Sequence, residues 1–352
     1  MLQPADPPAD HPRSGVLLSD HTTLRLGGPA SDFVVARSES HLIGAVTEAD
    51  VAGTPALVLG GGSNVVVADE GVAGTVVRVA TTGLAFEPDD ENLGRVIVHA
   101  AAGEIWDHVV AESIERGLAG IESLSGIPGL VGATPIQNVG AYGTELSDVV
   151  TAVRAFDRVE RASVTLDATA CGFGYRTSAL KGHDRYVVLG IEISLTQSAN
   201  SSPVRYAELA RTLGIELGGT AGVADVRSAV LELRAAKGML LDPADPDSVS
   251  AGSFFTNPII SAAVLPEGAP AWPTPDGRVK TSAAWLIEHA GFSRGYHIGA
   301  VGLSTKHTLA LINRGGASSS ELVALARAIR NGVHQTFGIS LDVEPVLVGL
   351  SL

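Results

Sequence analysis

The chain has 352 residues, 45% of them hydrophobic, a formal net charge of −14 and one cysteine, Cys171. That length carries two or three domains with ample core, no apolar run approaches the ~20 residues that span a bilayer, and a lone cysteine excludes a disulfide framework and argues against a cysteine zinc site. The acidic balance speaks against nucleic acid as a bulk partner, so an anionic ligand needs locally placed cations and backbone N–H groups; the sparse cysteine fits a reducing cytoplasm.

Met1–Ser14 holds four prolines and two aspartates and no apolar stretch. It reads as a disordered tail, taken to residue 19, and not as a signal peptide. Asp32–Arg37 reads as a first strand, and Ser40 is the expected cap of a helix carrying Ile43, Val46 and Val51. The apolar run Ala56–Leu59 then enters Gly60-Gly61-Gly62-Ser63-Asn64 and leaves through Val65–Val67. Successive glycines permit positive φ and close approach, and their N–H groups can converge on phosphate oxygens; the same residues also suit a tight hairpin. No GxxxxGK[ST] and no GxGxxG is present, so a pyrophosphate here belongs to neither of those two familiar folds.

Thr75–Val79 and Arg95–Ala101 read as strands. Glu104–Arg116 reads as a helix stopped by Gly117, with Ile105, Val109 and Ile114 on one side. The stretch from Gly120 to Gly143 contains six glycines and two prolines. It is too apolar for a solvent loop and too glycine-rich for ordinary helices or strands. Two readings stand: a buried crossover, or a backbone laid against a flat, nucleotide-like ligand whose edge Gln137, Asn138 and Tyr142 would meet.

Val149–Arg158, Ser163–Leu166 and Tyr186–Leu195 read as strands. Between them, Arg176 follows Gly172 and Gly174; a lone arginine is usually a surface charge, but here it can also reach a cleft as a fixed fork for a carboxylate. Composition changes near 199–203, a boundary signal. Ala224–Lys237, Thr281–Ala290 and Ser319–Phe337 read as helices. Ser253 sits near a turn at the start of a strand, with no GxSxG around it, so a hydrolase elbow is unsupported. Glu344 lies in the closing strand reading Leu341–Val348, where a carboxylate is more often solvent-facing than held for a purpose.

Five stretches appear in one order: GGGSN, GIPGLVGATPIQNVGAYG, GYRTS, SAGSFFTNP and LDVEPVLVG. Over about residues 20 to 350 the chain resembles the UDP-N-acetylenolpyruvoylglucosamine reductases, the MurB family, in its longer class. GGGSN alone is shared with other flavin enzymes of the vanillyl-alcohol-oxidase type; SAGSFF combined with the second glycine stretch is far more specific. The resemblance implies an α+β fold with a flavin half over residues 20–200, in two subdomains of about 20–85 and 86–200, and a substrate domain over 201–352. It implies non-covalent FAD on Gly60, Gly61, Gly62, Ser63 and Asn64, covered by Gly126, Ile127, Pro128, Gly129, Gln137, Asn138, Gly140, Ala141 and Tyr142. It implies NADPH as hydride donor and reduction of UDP-N-acetylglucosamine enolpyruvate to UDP-N-acetylmuramate for peptidoglycan synthesis, in a cytoplasmic monomer without membrane insertion.

The resemblance also assigns roles. Ser253 is the expected proton donor, with Arg176 and Glu344 at the substrate carboxylate. Tyr175, Tyr206, Lys237, Asn257 and His289 are expected to touch the substrate, although His289 stands where the family pattern has a glutamine. Two other readings remain: a flavin oxidase of the same fold, with His21 or Cys171 as covalent attachment points, and a non-catalytic nucleotide-binding protein.

Overall fold

The computed structural model describes residues 12–352. Its first sheet runs Val16–Leu17, Pro29–Ala36, Val72–Val79, Ala56–Leu59 in spatial order, parallel except at the first pair. β-Branched residues populate these strands because they fit a pleated, packed surface. The helix Glu39–Ala52 returns across this sheet and buries Leu42, Ala45, Val46 and Ala49. Its cap is Ser38, whose hydroxyl accepts from the His41 N–H at 3.2 Å, and not the expected Ser40. Ser40 instead lies inside the first turn, bonded to the Ser38 hydroxyl.

Residues 12–19 do not form part of a loose tail. Arg13 pairs with Phe33, Val16–Leu17 pairs with Pro29–Ala30, and Leu18 is fully buried. Residues 1–11, the rest of the expected tail, lie outside the described residues.

The second sheet is antiparallel, in the order Ala162–Asp167, Val150–Asp157, Tyr186–Gln197, Arg95–Ala101, Leu84–Pro88, with Leu118–Ala119 beside the central strand. Tyr186–Gln197 is buried on both faces, hence its near-continuous apolar run. The helix here begins at Trp106, not Glu104. Ile105 is its exposed N-cap, while Trp106 turns into the core with its indole N–H on the Leu124 carbonyl. One apolar cluster joins this sheet, both helices and Leu146.

The helices Ala207–Leu213 and Val223–Ala236 bury Leu209, Val226 and Val230 against each other, and the second contacts the turn Glu122–Leu124. The first of these helices carries no strong apolar stripe in sequence. Beyond them, Ser250–Ser253, Ala310–Asn313, Val301–Leu303 and His297–Ile298 form an antiparallel sheet. The helix Ser319–Phe337 covers it, with a capping box between Ser318 and Glu321 and Gly338 at φ 68 closing the far end.

The last strand is Val346–Val348, shorter than the run from Leu341 suggests. It leaves its own sheet system and pairs in parallel with Val65–Val67, directly after the first glycine loop. Chain end and glycine loop therefore lie side by side.

Candidate active site

Six segments converge on one cleft of about 310 Å³. Gly60 through Asn64 line one wall, Ile127, Pro128, Leu130, Gln137 and Gly140 another, and Ser253, Arg176, Lys181, Arg234 and Glu344 bring the polar chemistry.

The two glycine stretches pack backbone to backbone. A Cβ on Gly61 would stand 2.9 Å from Gly129 Cα, and one on Gly129 would stand 2.6 Å from Ser63 Oγ. Ser63 Oγ donates to the Pro128 carbonyl at 3.1 Å. Gly62, at φ 64, presses on the His21 carbonyl, where a Cβ would come to 2.0 Å. The loop is thus clamped from both sides with no room for side chains. Among the described residues, no protein acceptor takes the backbone N–H groups of Gly61, Gly62, Ser63 or Asn64. Four free donors in a loop with a left-handed glycine make a nest for an anion. Those donors, and the wall of Ile127, Pro128 and Leu130 beside them, fit the diphosphate and the flat ring of FAD.

Ser253 is placed by a bulge. Ser250 pairs with Ile312 and Ser253 with Ala310, so one extra residue is inserted, and Gly252 absorbs it at φ 72. Phe254 and Phe255, essentially without exposure, anchor the chain on the C-terminal side of the serine. The Ser253 hydroxyl has no protein hydrogen-bond partner among the described residues.

Glu344 is tied to both neighbours through its backbone. Its N–H donates to the Phe254 carbonyl at 2.9 Å, and its carbonyl accepts from Asn64 Nδ2 at 3.4 Å. Asn64 Nδ2 also reaches Gln137 Oε1 at 3.0 Å, and the Asn64 carbonyl accepts from the Val346 N–H at 3.0 Å. The Glu344 carboxylate is only 13% exposed and meets Arg176 Nε at 3.1 Å. It is therefore held inside, contrary to the usual solvent-facing reading. Burial pushes its carboxyl above the ordinary range, against the pull of Arg176 and Lys181.

Arg176 stands at the tip of a tight turn. Gly174 and Thr177 exchange backbone hydrogen bonds of 3.0 and 3.2 Å, leaving Tyr175 and Arg176 as the two central residues. Arg176 takes φ 53, which costs a side-chain-bearing residue about 1–2 kcal/mol. Its Nη2 donates to the Gly140 carbonyl at 2.7 Å. Two fixed partners leave the guanidinium little freedom, and its remaining edge is available to a second carboxylate.

The other expected residues divide. Gly126 donates to Asp107 at 2.6 Å and its carbonyl accepts from Arg234, so it anchors the loop from behind. Asp107 stays ionised despite burial because Arg227 and Gly126 hold it. Asn138 is fully buried, and its amide is spent on Glu145, Ser147 and the Gly174 carbonyl. That corrects the reading of Asn138 as a contact to a ring edge; its φ of 49 and its bonds make it a structural pin for the Arg176 turn. Gly129 acts through Ser63, and Ala141 and Tyr142 lie off the cleft wall. Tyr142 instead meets Tyr206 edge to face at 5.5 Å, and burial pushes its phenol up to about 12.

None of the five expected substrate contacts lines the cleft around Ser253. Tyr175 is half-buried next to Arg176, with the Lys280 ammonium 4.7 Å over its ring, and burial pushes its phenol up. Asn257 Oδ1 caps the helix Ala283–His289 by accepting from the Ala283 N–H at 2.9 Å. Lys237 pairs with Glu208 at 2.5 Å and lies 5.6 Å over the Tyr142 ring. His289 stacks on Trp285 at 3.7 Å, and its Nδ1 bonds the Trp285 carbonyl.

Cys171 is fully buried, with its thiol pushed up to about 11 by burial, and His21 stacks on Phe33 beside Arg78. Neither lines the cleft, so neither serves as a covalent tether there. Sequence reading missed Lys181, Leu130 and Arg234. Arg234 looks like an ordinary helix charge, yet it is 6% exposed and spends its guanidinium on the Gly126 and Met239 carbonyls. Among the described residues no cluster of histidine, cysteine or carboxylates suits a metal, and no helix is long and apolar enough to cross a membrane.

An anion nest beside an apolar slot, in an α+β fold with a hydroxyl, a cation and a carboxyl facing inward, is the layout of a flavin-dependent oxidoreductase. The family model described as FAD binding domain matches residues 30–161 and that described as UDP-N-acetylenolpyruvoylglucosamine reductase, C-terminal domain, matches 243–348. A reductase of that name from Thermobifida fusca is 56% identical over 96% of this chain and 98% of its own length. One from Cutibacterium acnes is 52% identical over 96% and 90%. The crystal structure of the Thermus caldophilus enzyme superposes with a TM-score of 0.66 at 27% identity, covering 96% of this chain and 99% of that one. The chain belongs to the UDP-N-acetylenolpyruvoylglucosamine reductase family, and it is an FAD-dependent oxidoreductase that uses NADPH.

Proposed function

We propose that this chain reduces the enolpyruvyl ether of UDP-N-acetylglucosamine to UDP-N-acetylmuramate, a step of peptidoglycan precursor synthesis, with Ser253, Arg176 and Glu344 as its catalytic residues. The observation that carries the assignment is the meeting of these three, from three distant segments, in one cleft with the glycine nest. The chemistry supplied by bound FAD is two-electron transfer from NADPH to the enolpyruvyl double bond.

The residues of the chain do the rest. The N–H groups of Gly61 through Asn64 bind the diphosphate of the cofactor. Arg176 holds the substrate carboxylate, and its fixed charge gains value as negative charge spreads into that group. Glu344 shares this end. Its raised affinity for a proton lets it hydrogen-bond the carboxylate instead of repelling it. The Ser253 hydroxyl gives its proton to the substrate carbon and is refilled from solvent. Serine is a weak acid, but an enolate carbon is basic enough to take the proton.

Tyr175, Tyr206, Lys237, Asn257 and His289 are assigned to the UDP-sugar outside this cleft. Tyr206 and Lys237 share Tyr142 as a neighbour, which supports treating them as one group. A soluble nucleotide-sugar substrate supports a cytoplasmic reaction.

The test is Ser253→Ala under anaerobic conditions. NADPH should bleach the flavin as in the wild type, and reoxidation by the enolpyruvyl ether should slow at least ~100-fold. Equal slowing of both half-reactions would move the donor elsewhere.

A further inference from the structure

We infer that Lys181 is a positioning residue for Arg176: its ammonium grips the carbonyl of the turn that presents the guanidinium, and it brings a second positive charge to the carboxylate end of the cleft. The inference rests on the assignment of Arg176 and Glu344 to the substrate carboxylate.

Lys181 Nζ donates to the Arg176 carbonyl at 2.9 Å. That carbonyl belongs to a residue held at φ 53, at the second central position of a two-residue turn. Such positions favour glycine or asparagine, so an arginine there needs an external hold. Lys181 also lines the cleft itself, so its charge is spent where the substrate would lie and not in bulk solvent.

The lysine has a fixed base. Its backbone N–H donates to the Ser178 carbonyl at 3.2 Å, Ser178 Oγ donates to the Ile136 carbonyl at 2.7 Å, and Leu180 is buried. The Gly174–Lys181 stretch is therefore a closed loop with Arg176 at its tip and Lys181 bridging back. The geometry of the tip matters because Arg176 has two partners at once, Glu344 and the Gly140 carbonyl. A shift of the turn breaks both, and a 1 Å misplacement of a reacting group costs on the order of 100-fold in rate. The groups that act on Glu344 are the cations Arg176 and Lys181; the Tyr175 phenol lies beside this pair, and Glu145 and Lys280 stand one step further out.

The experiment compares flavin-loaded wild type, Lys181→Met and Lys181→Arg. Both half-reactions are followed by flavin absorbance, across pH and across concentrations of the enolpyruvyl ether. Lys181→Met should be bleached by NADPH within about twofold of the wild-type rate, while its reoxidation falls at least ~10-fold, mainly in kcat. Removing a cation near Glu344 raises the affinity of that carboxyl for its proton, so the basic limb of the reoxidation profile, where Glu344 gives its proton up, should move to higher pH. Lys181→Arg, which keeps the charge, should recover most of the rate and the original limb. Wild-type reoxidation with an unmoved limb in Lys181→Met overturns the inference, as does equal slowing of both half-reactions. A wild type that the enolpyruvyl ether fails to reoxidise overturns the functional assignment, and this inference with it.

Discussion

Three side chains meet in this cleft, and each is held there for a different reason. Burial raises the Glu344 carboxyl, a strained turn fixes Arg176, and a bulge aims Ser253. A fourth, His307, carries a stability consequence. Burial, and then the charges of Lys237 and Arg294, lower its imidazole to about 4. The folded protein therefore keeps this ring neutral, whereas the unfolded chain protonates it below about 6.5. Stability from this residue is complete above about pH 6.5 and is lost as pH falls toward about 4. The loss between pH 7 and pH 5 should be about 2 kcal/mol, and His307→Gln should lack that part of the slope in urea unfolding at the two pH values. The residue scale was partly legible beforehand. Arg176 stood out because of the glycines before it. Lys181 and Arg234 did not, since a lysine in a loop and an arginine in an amphipathic helix look like solvated charges until the fold closes over them.

At the scale of elements, the two glycine stretches explain each other. Gly61 needs Gly129 to be bare, Gly129 needs room for Ser63, and Gly62 needs its left-handed φ against His21. Gly62→Ala places a methyl group 2.0 Å from a backbone oxygen, so the nest must open. FAD affinity, measured by flavin fluorescence on the apoprotein, should fall at least ~10-fold. That corresponds to about 1.4 kcal/mol. Gly44→Ala is the control: it sits in the helix Glu39–Ala52 with nothing within 4 Å, and alanine there should stabilise by roughly 0.5–1 kcal/mol. Retention of wild-type flavin affinity in Gly62→Ala would remove the nest from cofactor binding. Most long elements were legible from periodicity, and the errors fell at their ends. Ser38 displaced Ser40 as cap and Trp106 displaced Ile105 in the core, because one residue of phase is decided by packing and not by propensity.

At the scale of the whole molecule, the closing strand is what makes one site out of separate cores. Val346–Val348 pairs with Val65–Val67, and the Val346 N–H bonds the Asn64 carbonyl at 3.0 Å. This single docking places Glu344 between the glycine loop and the serine strand. Val346→Pro deletes that donor at a side chain that is 50% exposed, so little packing is lost with it. The expected cost is about 1–3 kcal/mol, seen as a lower thermal midpoint and faster loss of FAD on gel filtration. Val346→Ala should behave as wild type in both. Identical behaviour of the two variants would show that the strand docks through its side chains alone.

Alone, the sequence determined the glycine loops, the strand and helix periods, the family and so the reaction, because each is written in residue types at short spacing. Only the tertiary structure decided that Glu344 is buried and that Asn138 is a pin beneath the Arg176 turn. It also decided that Lys181 and Arg234 line the cleft. The physical reason is range. A local pattern reports on turns and faces, but desolvation and charge pairing depend on which distant segments close over a group, and nothing local records that.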